Sequence, residues 1–133
     1  MKTIRSLSGI AAIAFVACVG LARAEIVIIS NSATTIVADE VRDVFLGEKQ
    51  FAGATKLQPI DNGPLQAEFQ SKALKIEPDR YNSLWAKKSF RDGVNKPSVK
   101  SGDAEVIDFV KKTPGAVGYV AKSPSGVSVV QKY

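Results

Sequence analysis

Histidine is absent from this 133-residue chain, and cysteine occurs once, at Cys18. The first absence removes the side chain that titrates nearest neutral pH and that most often ligates metals. The second excludes an internal disulfide and any cysteine-built metal cluster. No serine has a recognisable base partner, so a hydroxyl nucleophile would lack its activator. Metal binding would rest on carboxylates alone, and these do not match the spacing of a calcium loop. The sequence offers no catalytic residue, no cofactor motif and no metal site, and it reads as a non-enzyme. Internal repeats and low-complexity tracts are missing as well.

A strong excess of one charge is lacking too, once the first segment is set aside. Lys2 and Arg5 precede an almost wholly apolar run, Gly9 to Leu21, and Ala22-Arg23-Ala24 places small residues before Glu25. This is the layout of a cleavable signal peptide over residues 1–24. The run is shorter than the ~18 apolar residues of a membrane helix, so no membrane span is expected after leader removal. Lipidation at Cys18, behind Phe15-Val16-Ala17, is the alternative processing route. Residues 25–133 then make one domain of 109 residues. Without Lys2, Arg5 and Arg23, 15 basic residues face 13 acidic ones, and the formal charge falls from +5 to +2. Lys87-Lys88 and Lys111-Lys112 are isolated pairs that read as solvated helix surface, not as the concentrated basic face that nucleic acid requires. Export combined with loss of the only cysteine points to a bacterial periplasm.

The periodicities predict an α/β domain. Glu25 to Ser30 is a β-branched run without alternation, the pattern of a buried strand. Asn31 to Thr35 is a polar loop able to cap the next helix. Val37, Val41, Val44 and Phe45 then mark one helical stripe over about Ile36–Leu46, with Gly47 as its left-handed stop. Lys56 to Ile60 reads as a strand, and Pro59 puts it at an edge or near its end. Asp61-Asn62-Gly63-Pro64 breaks the chain, and Leu65, Phe69 and Leu74 carry the next stripe. Pro78 opens a helix with Tyr81, Leu84, Trp85 and Lys88 on one face, ended by Arg91-Asp92-Gly93. Asn95 to Lys100 reads as a loop. Ser101 reads as the N-cap of a helix with Val106, Ile107 and Val110 inward. Its acids Asp103 and Glu105 stand in the first turn and Lys111-Lys112 in the last, in agreement with the macrodipole. Thr113-Pro114-Gly115 stops that helix. Ala116 to Val120 is a strand, with Gly118 allowing close helix approach, and Val127 to Val130 is the last strand.

Four stretches, taken together, resemble one family. "DEVRDVFLGEK" (39–49), "PIDNGPLQAEF" (59–69), "YNSLWAKKSF" (81–90) and "VIDFVKKTPGAVGYV" (106–120) occur in the order and spacing of phosphate ABC transporter substrate-binding proteins. The similarity is to their short, single-lobe relatives and covers nearly all of residues 25–133. It implies one lobe of a type II periplasmic-binding-protein fold, with a small mixed sheet of about four to five strands flanked by helices. It also implies phosphate or another small oxyanion as ligand and an ABC permease or envelope protein as partner. In the family the loop equivalent to 59–65 supplies an Arg, an Asp, a Ser and a Thr. Asp61 keeps the acid, whereas Pro59, Gly63 and Leu65 stand at the other three positions. Each lost hydrogen bond to a charged group weakens binding by ~1.5–3 kcal/mol.

Asp61, Asn62 and Gly63, with Ser32 and Thr34 from the first hydroxyl-rich loop, are therefore the candidate ligand-binding residues. Turn and cap chemistry is the competing explanation for each of them. Two functions are compatible with this pattern: a periplasmic solute-binding-like protein with residual oxyanion affinity through backbone amides near Asn62, or a protein-interaction module on the same scaffold. Trp85, Tyr81 and Tyr119 read as core packing.

Overall fold

In a computed structural model, residues 25–133 are described; the expected leader and Cys18 lie outside the described residues. The chain opens with strand β1 (Val27–Ser30), every residue of which is buried. Burial on both sides explains why the run does not alternate: Ile26 and Ile28 enter one apolar layer, Val27 and Ile29 the other. The next helix is shorter than its stripe suggests. A 3-10 turn (Ala38–Glu40) leads into α1 (Val41–Phe45). Thr35-Ile36-Val37 is a β-branched run, costly to wind into a helix, and Val37 is instead an extended N-terminal cap, 55% exposed. Gly47 comes next with a φ of 74°, the left-handed stop its position predicts.

Two short strands, β2 (Phe51–Ala52) and β3 (Thr55–Lys56), pair antiparallel in a separate hairpin. The strand expected over 56–60 is thus divided, and its main part is β4 (Gln58–Asn62). Pro59 does not place β4 at an edge. At Pro59 the strand pairs only with β6 (Ala116–Val120), and β5 (Ser98–Lys100) joins the other side from Ile60 onward. The proline therefore sits where one flank is locally open, as its missing N–H requires. Residues 98–100, expected as loop, form that short parallel strand.

A 3-10 turn (Gly63–Leu65) leads into α2 (Gln66–Phe69) and a π turn (Gln70–Leu74), and then comes α3 (Pro78–Asp92). Tyr81, Trp85 and Lys88 are its buried residues, whereas Leu84 is 37% exposed. Lys88 is not solvated surface, because its stem lies over Gly47. Helix α4 (Asp103–Lys112) is capped by Gly102 rather than Ser101. The Ser101 hydroxyl donates to Glu105 at 2.6 Å instead. The last strand, β7 (Ser128–Lys132), begins one residue later than expected and runs to Lys132.

The five-stranded sheet has the order β5-β4-β6-β1-β7. Strands β5, β4 and β6 are mutually parallel, and β1 is antiparallel to both β6 and β7, so the sheet is mixed. Helices cover both faces. On one face Phe45, Phe69, Leu74, Tyr81 and Trp85 pack over Ile28, Val117 and Tyr119. On the other, Val106 and Val110 of α4 pack over Val27, Ile29, Ile60 and Val120. Fully burying a side chain of this size contributes about 1.5–3 kcal/mol. Gly118 lets α4 approach, since a Cβ there would lie 2.7 Å from Val106 Cγ1. Among the described residues no helix is long and apolar enough to cross a membrane.

Candidate functional site

Alternation along β4 divides the three central candidates between the layers. Ile60 turns toward α4, Asp61 toward the layer of α1 to α3, and Asn62 toward α4 again. Asp61 is 0% exposed. Its Oδ2 accepts the Tyr81 hydroxyl and its Oδ1 the Tyr119 hydroxyl, each at 2.8 Å. Tyr119 is itself stacked on Phe69, with ring centroids 3.9 Å apart, and Phe69 meets Phe45 edge-on at 4.6 Å. The carboxyl is thus walled in by aromatic rings that also satisfy it.

The electrostatics derive from that wall. Burial raises the Asp61 carboxyl above the ordinary carboxylate value, and the two tyrosine hydrogen bonds oppose the rise. Burial, with the Asp61 charge adding to it, also pushes both tyrosine hydroxyls far above the usual phenol range. The cation nearby is Lys96, whose charge favours ionised Asp61. Its ammonium donates to Asn82 at 2.7 Å and lies 5.3 Å from the Tyr81 ring centroid. It stands over the aromatic wall, and a lysine at that place offers no bidentate fork for an oxyanion.

Asn62 is equally enclosed. Its amide nitrogen donates to Asp103 Oδ1 at 2.8 Å and to the Tyr119 carbonyl at 3.0 Å. Asp103 Oδ2 in turn accepts the Ala121 N–H at 3.0 Å. Asn62 Oδ1 is buried with no hydrogen-bond partner. Gly63 is exposed, and a Cβ there would lie 3.2 Å from the Lys100 carbonyl. Pro64 removes one N–H from the adjoining turn. The end of β4 is therefore flanked by a carboxylate on each face, Asp61 on one and Asp103 on the other, and by the Asn62 amide oxygen, all of them acceptors. An anion needs donors.

Ser32 and Thr34 lie at the opposite end of the sheet. Ser30 is paired with Val117, which also pairs with Pro59, three residues before Asn62. At about 3.3 Å per residue, ~10 Å or more separates the two groups. Thr34 is buried and its Oγ1 accepts the Gly115 N–H at 2.7 Å, while Ser32 is exposed. The loop does not cap α1 either. Asn31 donates to the Val110 and Lys111 carbonyls at 2.8 and 3.2 Å, closing the end of α4. The five candidates thus fall into two clusters, and only Asp61, Asn62 and Gly63 are neighbours.

Three partners of that cluster were not singled out from the sequence: Tyr81 and Tyr119, expected as packing alone, and Asp103, expected only as a dipole partner. Nothing in their spacing brings them to Asp61 and Asn62; the parallel pairing of β4 with β6 brings Tyr119, and the packing of α3 and α4 on opposite faces of the sheet brings Tyr81 and Asp103. Three surface grooves, of about 240, 320 and 500 Å³, open on the described residues. None of them is lined by Asp61, Asn62 or Gly63. The largest of the three runs along the open flank of β4, beside Pro59, Val94 and Lys96.

Searched against models of known protein families and against curated proteins, the chain matches none.

Proposed function

We propose that this chain is a non-catalytic protein-interaction module of the periplasm, built on a single lobe like those of type II binding proteins and akin to the phosphate-binding group. The observation that carries this reading is the Asp61 carboxyl, fully buried and held by Tyr81 and Tyr119. It is the one polar group matching the family's ligand loop, and its hydrogen bonds are spent inside the protein. A dianion leaving water needs several convergent charge-assisted donors. Here it would meet the Asp103 carboxylate beside Asn62 on one side of the sheet, while Asp61 is closed off in the other layer. The scaffold is kept while the site is filled by its own side chains.

The other reading, residual oxyanion binding coupled to an ABC permease, draws on the resemblance and on the place of Asn62-Gly63 at the carboxyl end of a parallel strand, where open α/β sheets bind ligands. The buried tyrosine pair speaks against it. Co-purification from the native host with a tagged full chain tests the module directly. One envelope protein recovered at a stoichiometric level is the expected result, and recovery of the bait alone sinks the proposal.

A further inference from the structure

The proposed function requires a docking surface, and the charge distribution singles one out. Arg80, Leu84, Lys87 and Arg91 are spaced i, i+4, i+7 and i+11 along α3, which places them in one stripe,. This stripe borders the groove of about 320 Å³ between α3 and α1. Arg42 joins it from α1, Leu46 and Leu84 give it apolar walls, and Lys88 adds a fifth cation; Asp43 and Glu48 are its only lining acids. Five cations against two carboxylates leave an excess of three positive charges in one groove, more than the whole of residues 25–133 carries net.

Internal pairing leaves most of that excess: with Asp92, which lies outside the lining, five cations face three carboxylates. Lys88 lies 3.6 Å from Glu48 and 3.9 Å from Asp92, and Arg91 pairs with Asp92. Arg42 uses only its Nε, which donates to the Leu74 carbonyl at 3.2 Å. Arg80 and Lys87 are exposed and have no ion-pair partner among the described residues. Phe90, 94% exposed, extends apolar surface on the far side of Lys87.

We propose that this groove docks an acidic amphipathic helix of a partner protein. The inference rests on the interaction-module reading and names the partner's chemistry. Three features select that occupant. At ~1.5 Å per residue, Arg80 to Arg91 spans roughly 16 Å, about three helical turns, too long for a single small anion. Cations stand on both sides of Leu84 along the stripe, so the ligand presents carboxylates on both sides of an apolar side chain, as a helix laid in a groove does. Arg42 and Leu46 form the opposite wall of a concave site, which a helix enters and a flat bilayer surface does not. Complementary charge steers the encounter and fixes the register, while Leu46 and Leu84 supply the desolvated centre.

The test places a photo-crosslinking benzoylphenylalanine at position 84, or in a parallel strain at position 129 on β7, in the full chain in its own host. Val129 is 44% exposed, lies on β7 and does not line the groove. The expected result is an adduct from position 84 whose crosslinked peptide, read by mass spectrometry, is an acidic helical segment. The R80E/K87E/R91E variant lowers the yield at least about tenfold, and R80Q/K87Q/R91Q lowers it less. All three residues are exposed, and unchanged circular dichroism of the purified variants verifies their folding. A yield indifferent to charge reversal overturns the inference. So does an adduct on a neutral or basic segment, or on lipid. An adduct from position 129 alone removes the groove and leaves the module standing, whereas no protein adduct from either position, together with a bait recovered alone, removes both.

Discussion

The Tyr119 hydroxyl donates to Oδ1 of Asp61 across 2.8 Å, joining β6 to β4 beside an apolar cluster of Phe45, Phe69 and Leu74. Tyr81 makes the matching bond from α3 to Oδ2. One carboxyl therefore ties two strands and a helix together. It is the most consequential polar feature of the core.

Replacing Asp61 by alanine leaves both hydroxyls buried without an acceptor. Each unsatisfied donor costs about 1–3 kcal/mol, so D61A is expected to lower the unfolding free energy by several kcal/mol, read as a fall in the urea midpoint. D61N, which keeps one acceptor oxygen, is expected to lose less.

The tyrosine bonds are expected to be coupled. Y119F keeps the ring on Phe69 and removes only a donor, as Y81F does on α3. Either change alone costs about 1–3 kcal/mol. The double variant strips the carboxyl of both tyrosine donors and should cost more than the sum of the single losses, by about 0.5–3 kcal/mol. A double-mutant cycle of denaturant unfolding checks this.

Burial raises the Asp61 carboxyl, and the sign of the resulting pH dependence is fixed. The folded protein holds the proton to a higher pH than the unfolded chain does. The contribution is fully present below the ordinary carboxylate value and is lost as pH rises through the folded value. The slope is at most ~1.4 kcal/mol per pH unit. Glu40, Asp92 and Glu105 are lowered by Lys49, Arg91 and Ser101 respectively and tilt stability the other way. Subtracting the D61N profile from that of the wild type removes these shared tilts. The difference should fall with rising pH in the acid range; a difference that rises contradicts the assignment.

Gly118 is where α4 meets the sheet. The 2.7 Å approach of an added Cβ to Val106 Cγ1, with Ile60 Cγ1 at 3.3 Å, leaves no room for a methyl group. G118A is expected to cost about 1–3 kcal/mol through overpacking, measured by thermal unfolding.

Much of this architecture was legible in the sequence because it repeats a local pattern. Val27 to Ser30, the stripe of Tyr81, Trp85 and Lys88, and Val106 with Val110 each announce a buried face. The β2–β3 hairpin and β5 were not legible. They are two or three residues long, too short for a period to develop, and Phe51 and Val99 are more than half exposed. Val37 misled because apolar character was read as inward, whereas a β-branched run favoured an extended cap. The site was half legible: Asp61, Asn62 and Gly63 stood out as a group. Their enclosure did not, because Tyr81 and Tyr119 lie 20 and 58 residues away and reach Asp61 only through tertiary packing.

Whether the Asp61 carboxyl serves the core or a ligand is decided by titrating the purified protein with inorganic phosphate in a calorimeter. At concentrations up to about 1 mM, where even an affinity of roughly −4 kcal/mol produces measurable occupancy, the heats should equal those of dilution into buffer. A saturable isotherm, abolished in D61A protein that remains folded, would show that Asp61 serves a ligand.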